Sequence, residues 1–358
     1  MTSPTRLPVA GSFETQTSRL TLRRPQHSDH AFLYALHADP RLYLHPSHAM
    51  RSHPDNEAFL DTVHRHWDEH GFGYWTVVET ATGGPVGMAG LRMSEGFLNL
   101  YYRFAAEVHG RGFAREAARE AVALATEFLP AIPTQALVKE DNTASASTAL
   151  SAGLVRAGSK VLADDLPGEP ASAVFEAPAV ERYDTLDDGL REAVLDLWCR
   201  VNDAGGAVGF LPGAPRDRVA DALWSHERQM AERLAFAAML RAPDGALLGL
   251  AWWLRSPNAL MSHGLSAYRV MIEPTLRGRN LGRILMSGMH RLARDDGAEL
   301  VTLDYRSGTG VGAFYARCGY TEVGRVPGSI RVRPGDDRDS VLMARRLDGA
   351  PLRAHGRS

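Results

Sequence analysis

Apolar positions along the chain follow two periods, and the order in which those periods appear repeats. In the first half, residues 74–79 and 86–92 are short, mostly apolar runs separated by Ala81-Thr82-Gly83-Gly84-Pro85, a connection with hairpin chemistry. Residues 98–104 form a third such run. The second half places 236–241 and 247–254 around Pro243-Asp244-Gly245, followed by 268–272. Each half therefore predicts an antiparallel meander.

A helical stripe follows each meander. Ala114, Ala117, Ala118, Ala121, Val122, Ala125 and Phe128 share one helical face, and Ile284, Leu285, Met289 and Leu292 do the same in the second half. Another strand pattern comes next, at 135–139 and 300–305, and a strand that leaves a helix to rejoin its sheet is expected to run parallel to its predecessor. Upstream, 29–38 and 56–69 read as helices, as do 188–202 and 216–233. The elements recur roughly 165 positions apart, a one-domain spacing.

The predicted fold class is thus α+β, with two tandem copies, each a mixed, mostly antiparallel sheet flanked by helices. The expected divisions are a frayed tail over 1–17, a first domain over 18–177, a second over 178–348 and a tail over 349–358. The junction follows the apolar run 171–176, near Ala177-Pro178, and Glu181-Arg182-Tyr183 opens the second copy.

Composition narrows the function classes. The 358 residues are 44% hydrophobic and 23% charged, with no segment able to span a bilayer and no apolar leader core before residue 17, so a soluble, cytoplasmic protein without a membrane partner is expected. A formal net charge of −2 argues against a chain held to nucleic acid by phosphate contacts. Cys199 and Cys318 belong to no metal or disulfide pattern. His66 and His70 share a helical face close to His64, but without a further clustered ligand a solvated face is the expected reading, and no metal is expected. Tyr74 and Trp75 are expected to pack in the sheet core.

The sharpest chemical signal is His109-Gly110-Arg111-Gly112-Phe113-Ala114, between a strand and a helix, echoed by Arg277-Gly278-Arg279-Asn280-Leu281-Gly282. Such a loop at a helix N-terminus offers unpaired N–H groups and the positive end of the dipole to an anion, and small residues admit a pyrophosphate close to the backbone. Arg111, Arg277, Arg279 and Arg283 would add charge-assisted contacts. Neither the P-loop nor the dinucleotide-binding pattern is present.

On these motifs the chain resembles the GNAT superfamily of acetyltransferases, whose Q/R-x-x-G-x-G/A loop wraps the pyrophosphate of CoA. The first half is similar to ribosomal-protein-type N-acetyltransferases through residues 17–23, Gly73-Tyr74-Trp75, Val86-Gly87, residues 110–114 and Asn142-Thr143-Ala144-Ser145, although His109 replaces the usual Gln or Arg. The second half resembles small-molecule acetyltransferases, antibiotic-modifying ones included, through residues 277–282, Ala313-Phe314-Tyr315, Cys318-Gly319-Tyr320 and a tail from Val326-Pro327-Gly328 to Asp339 and Met343. Asn280 stands there for a motif glycine, and Asn tolerates the left-handed conformation better than most residues. The tandem arrangement also resembles mycothiol synthase, a family in which one copy can be catalytically degenerate.

The resemblance implies acetyl-CoA as co-substrate and a small-molecule or peptide amine as acceptor. It places a general acid at Tyr315, a CoA-contacting amide at Asn142 and a hydroxyl donor at Ser145. Backbone groups of the fourth strand, at Val270 and Ile272, would flank the thioester. An amine with pKa near 10.4 is only about one part in a few thousand neutral at pH 7, so a base or a proton-conducting water path is needed. Glu107 and Glu273, each just before a loop, are the candidate bases, with exposed surface acids as the alternative. The expected activity is direct amine attack on acetyl-CoA; the competing class is an acyl-CoA-binding regulatory module with one or both copies non-catalytic. The acceptor stretches would lie near 42–53 and 205–215.

Overall fold

The computed structural model describes residues 13–43, 52–162 and 171–352. The chain divides into two compact units, Met1–Pro178 and Ala179–Ser358. Unit 1 contains β1 (Thr15–Gln16), β2 (Leu20–Arg23), α1 (His30–Ala38), α2 (His53–His70), β3 (Tyr74–Glu79), β4 (Pro85–Met93), β5 (Leu98–Phe104), α3 (Phe113–Phe128), β6 (Thr134–Lys139), α4 (Thr143–Ala152), β7 (Val155–Lys160) and β8 (Ser172–Glu176). Unit 2 contains β9 (Ala179–Tyr183), α5 (Asp188–Asp203), α6 (Arg216–Ala231), β10 (Ala235–Arg241), β11 (Leu247–Arg255), β12 (Gly264–Ile272), α7 (Leu281–Asp295), β13 (Leu300–Arg306), α8 (Gly312–Arg317), β14 (Thr321–Arg333) and β15 (Asp336–Arg346).

The two sheets share one topology. Unit 1 runs β1-β2-β3-β4-β5-β6-β8-β7, and unit 2, read from its β9 edge, runs β9-β10-β11-β12-β13-β15-β14. Apart from the short β1, strand follows strand in the same order. Each sheet has one parallel pair, β5 with β6 and β12 with β13, on either side of a crossover helix. These pairs are short. β5 and β6 are in register only at Leu98↔Thr134 and Asn99↔Gln135, and β12 and β13 only from Gly264↔Leu300 to Ala267↔Leu303. Beyond those points the strands run on to Phe104 and Lys139, and to Ile272 and Arg306, without pairing with each other. Each sheet is therefore open between its two central strands at their C-terminal ends.

Burial explains why the helices lie where they do. Ala117, Ala118, Ala121 and Val122 on α3 are fully buried, as are Ile284, Leu285 and Met289 on α7. In unit 1 Trp75 is fully buried, and its indole donates to the Phe13 carbonyl at 2.6 Å; Tyr74 beside it is buried as well. In unit 2 Trp198, Trp252, Leu197, Met239 and Leu250 belong to one core.

Two expectations need correction, and one stretch gains an assignment: the segment from Val326 to Met343, for which the apolar pattern predicts no element, lies in the hairpin of β14 and β15. Its strand character was hidden because it carries charge where apolar alternation is expected, and it is tied by cross-strand pairs, Arg331 with Asp337 at 2.7 Å and Arg325 with Asp339 at 2.9 Å. Helix α6 stops two residues early, at Ala231, because Arg233 turns to φ 59°. His66 is not on a solvated face. It is buried, with Nδ1 2.8 Å from the Phe72 carbonyl and Nε2 accepting from the Met93 N–H at 2.9 Å. Burial pulls its pKa to about 4, against the opposing Phe72 hydrogen bond.

Among the described residues no helix is long and apolar enough to cross a membrane, and no group of three or more His, Cys, Asp or Glu is placed to hold a metal. Cys199 and Cys318 form no disulfide.

Candidate active sites

In unit 1 the loop between β5 and α3 begins with a turn of 3-10 helix, Ala106–Val108, and enters α3 through Gly112 at φ 79° and ψ 14°. Gly110 takes φ 77°, so two residues in the left-handed region steer the backbone around the start of α3. Unit 2 repeats the device with Pro274–Leu276, Gly278 at φ 82° and Asn280 at φ 65°. Asn280 thus takes the conformation that Gly112 takes. In both units the N–H groups of the following first turn, at Phe113 and Ala114 or at Leu281 and Gly282, have no carbonyl one turn back inside the helix. The side chains of Phe113 and Leu281 are buried, so these two residues would offer backbone, not side chain, to a ligand.

The loop arginines are arranged differently. Arg111 is ion-paired with Glu79 and lies 4.5 Å over the Phe113 ring, while the guanidinium of Arg19 donates to the Arg111 carbonyl at 2.8 Å. Arg19 is itself held by Glu116 at 2.6 Å. His109 packs back on β5, its Nε2 3.0 Å from the Phe104 carbonyl. In unit 2 Arg277 donates to the Ala204 carbonyl at 3.1 Å, and among the described residues no carboxylate pairs with Arg277 or Arg279. Arg283 follows in the first turn of α7, where its N–H bonds to the Asn280 carbonyl at 2.9 Å. The unit 2 loop therefore presents more uncompensated positive charge.

The candidate acids and bases are also placed. Tyr315, on α8, is half-buried between Tyr305, Phe314 and Tyr320, with ring centroids 5.1 to 6.1 Å away. Its hydroxyl has no hydrogen-bond partner among the described residues, and burial pushes its pKa well up, with Cys318 and Asp304 adding to the effect. Gly282 is where α7 meets α8: a Cβ there would stand 3.3 Å from the Phe314 ring. In unit 1 Asn142 caps α4, its Oδ1 accepting from the Ser145 N–H at 3.0 Å, and the Ser145 hydroxyl lies 2.9 Å from that of Tyr102 on β5. Burial pushes Tyr102 up to about 12, despite the Ser145 bond.

Neither glutamate stands as a free base. Glu273 is bound by Arg200 at 2.9 Å and Glu107 by Arg41 at 2.7 Å. A carboxylate tied to a guanidinium has lone pairs already engaged by that partner.

Val270 occupies an irregular part of β12. The ladder to β11 runs from Leu250↔Met271 to Trp252↔Tyr268, so three residues of β12 span what two span on β11. This bulge leaves Arg269 and Val270 outside the register, past the point where β13 has separated. Ile272 remains paired with Gly249.

Unit 2 also holds a cavity of about 360 Å³. It is walled by residues 207–211 of the α5–α6 connection, by Tyr268 and Arg269, by residues 304–306 of β13 and by residues 330–332 of β14. The expected acceptor stretch 205–215 thus contributes a wall in unit 2, whereas most of 42–53 in unit 1, residues 44–51, lies outside the described residues. Arg269 was missed in the sequence, since nothing in its spacing marks a β-strand arginine that turns inward. No sequence signal marks Arg19 as the clamp on the unit 1 loop either.

Residues 19–155 match the family model described as an acetyltransferase (GNAT) domain. Among solved structures, the chain is similar to an acetyltransferase from Agrobacterium tumefaciens at 23% identity, covering 46% of this chain and 92% of that one with a TM-score of 0.40. It is also similar to a GNAT-family acetyltransferase from Bacillus anthracis, at 14% identity over 46% and 96% of the two chains with a TM-score of 0.40. A GCN5-related N-acetyltransferase from Kribbella flavida matches at 19% identity over 47% and 97%, with a TM-score of 0.38. The match lies within unit 1 and marks residues 19–155 as a GNAT acetyltransferase domain, a domain type that uses acetyl-CoA.

Proposed function

We propose that unit 2 is a second GNAT domain and that the whole chain is a tandem acetyl-CoA-dependent N-acetyltransferase acting on a small-molecule or peptide amine. The observation that carries this reading is the repeated construction: one strand order, one opened parallel pair and one left-handed entry into the crossover helix, in both units. Two helix starts of this form are two anion sites suited to a pyrophosphate.

The proposed reaction is direct transfer from the thioester to the amine. The amine nitrogen attacks the thioester carbonyl carbon, the C–N bond forms, and the C–S bond breaks as the thiolate leaves. Val270, which lies outside the β11–β12 register, is suited to offer its N–H to the carbonyl oxygen in unit 2. Tyr315 supplies a proton to the departing thiolate and recovers one from solvent; its raised pKa keeps it protonated for that task. Nitrogen loses two protons, one from the ammonium before attack and one once the C–N bond has formed; both pass to water, because both nearby glutamates are ion-paired, and one is in effect returned through solvent to Tyr315. In unit 1 the Tyr102 and Ser145 hydroxyls are the groups that could serve the thiolate.

Thiol release measured with acetyl-CoA over amino acids, polyamines, aminoglycosides and peptide N-termini tests this reading. Release with at least one amine supports it; binding of acetyl-CoA without release for any amine would place the chain among acyl-CoA-binding modules instead.

A further inference from the structure

The transfer chemistry above makes no use of Arg269, although it lines the unit 2 cavity. It sits on the β12 bulge at φ 51°, a conformation that a long side chain adopts only where its surroundings hold it. Its Nε donates to His226 Nε2 at 3.1 Å and its Nη1 to the Val208 carbonyl at 2.6 Å, and its guanidinium carbon lies 4.7 Å from the Trp198 ring centre. The loop closes tightly over it: a Cβ on Gly209 would stand 1.7 Å from Nη1, and Gly209 takes φ 103°, so a side chain there would strain the backbone and displace the guanidinium. A network of neutral groups thus fixes one cation in place.

No anion answers it. Among the described residues no carboxylate pairs with Arg269, and Nη2 has no hydrogen-bond partner. Burial pulls its pKa below the ordinary value, with only a small opposing contribution from Tyr268. A guanidinium remains charged in a protein, and removing one from water without a counterion is costly. Arg306 lines the same cavity, whereas Arg331 is neutralised by Asp337. One acid, Asp304, faces the cavity from β13 and accepts a hydrogen bond from Ser340 at 3.3 Å. Phe210, Tyr305, Ile330 and Val332 add apolar wall.

We propose that the unit 2 cavity takes a small amine that also bears a carboxylate, an amino-acid-like acceptor with an apolar body, and that the carboxylate pairs with Arg269. This rests on the reading of unit 2 as an acetyltransferase. A planar guanidinium binds carboxylate through paired N–H groups, and the occupant would supply the missing counterion. Asp304 is the group suited to attract the ammonium end. Polyamines are disfavoured, since they would bring further positive charge against Arg269 and Arg306.

The test uses the full-length chain carrying Gly110→Asp, so that release reports unit 2. L-leucine, L-methionine and L-phenylalanine are each compared with the corresponding decarboxylated amine and amino-acid amide. The carboxylate-bearing member of at least one set is expected to be favoured by about tenfold or more in kcat/KM. That preference should fall towards unity in Arg269→Gln, mainly through KM, and be partly kept in Arg269→Lys. Amines or amides used as well as the acids by the unsubstituted unit 2 would overturn the proposal, whatever the Arg269 variants do. So would absence of turnover with every acid while unit 2 still binds acetyl-CoA by calorimetry. Loss of acetyl-CoA binding by unit 2 would overturn the underlying reading as well.

Discussion

Glu273 accepts from the Arg200 guanidinium at 2.9 Å, so the carboxylate best placed by sequence to act as a base beside the α7 loop is already committed to an ion pair. Glu107 has the same arrangement with Arg41, and its own backbone together with that guanidinium holds its carboxyl below the usual range. Glu107→Gln and Glu273→Gln should therefore leave the shape of the pH profile of kcat/KM unchanged. For an aliphatic amine, kcat/KM should rise through neutral pH as the neutral fraction grows. A lost or displaced acidic limb in either variant would restore that glutamate as the base.

Tyr315→Phe should lower kcat for unit 2 by roughly 10- to 1000-fold with acetyl-CoA affinity nearly unchanged, since the substitution removes only a hydroxyl without a protein partner. Steady-state kinetics in the Gly110→Asp background, with calorimetry for affinity, checks both halves of the statement. A wild-type kcat would assign the proton to another donor.

The sequence made the central elements legible because their apolar periods are strong: β3 and β5 fall on the expected residues, and α3 and α7 bury the expected stripes. It also marked both loops, since Gly110, Gly112 and Gly278 are required by backbone conformation. Long-range relationships were not legible. Arg269 reaches His226 from 43 positions away, and Arg19 reaches the Arg111 carbonyl from 92. Strand β14 lacked apolar alternation because its residues are largely exposed, with Arg–Asp pairs joining it to β15.

His66 and His226 make each unit acid-sensitive. Burial pulls both to about 4, and each Nε2 accepts a hydrogen bond, from the Met93 N–H and from Arg269 respectively, that protonation would destroy. For a histidine held neutral in the folded state, stability is complete above the unfolded pKa near 6.5 and is lost as pH falls towards 4, on the order of 3 kcal/mol each. The carboxyls of Asp29, Glu116 and Asp296 act at more acidic pH: burial raises each, but hydrogen bonds, from arginine in every case, outweigh it and leave the value low. Denaturant unfolding between pH 7 and pH 4 should show this decline, with a shallower slope in His66→Gln for unit 1 and His226→Gln for unit 2. Slopes unchanged by both substitutions would contradict the assignment.

The central claim is that two copies of one acetyl-CoA site stand in one chain, and titration calorimetry of the full-length protein with acetyl-CoA tests it most directly. Gly110 and Gly278 both have φ near 80° and open space around the Cβ position, so Gly110→Asp and Gly278→Asp place a negative charge in each loop without a steric clash, at the cost of a left-handed φ that Asp tolerates better than most residues. The account predicts two molecules bound per chain, and one in either single variant. A wild-type stoichiometry of one, abolished by Gly110→Asp and untouched by Gly278→Asp, would contradict it and leave unit 2 without a CoA site.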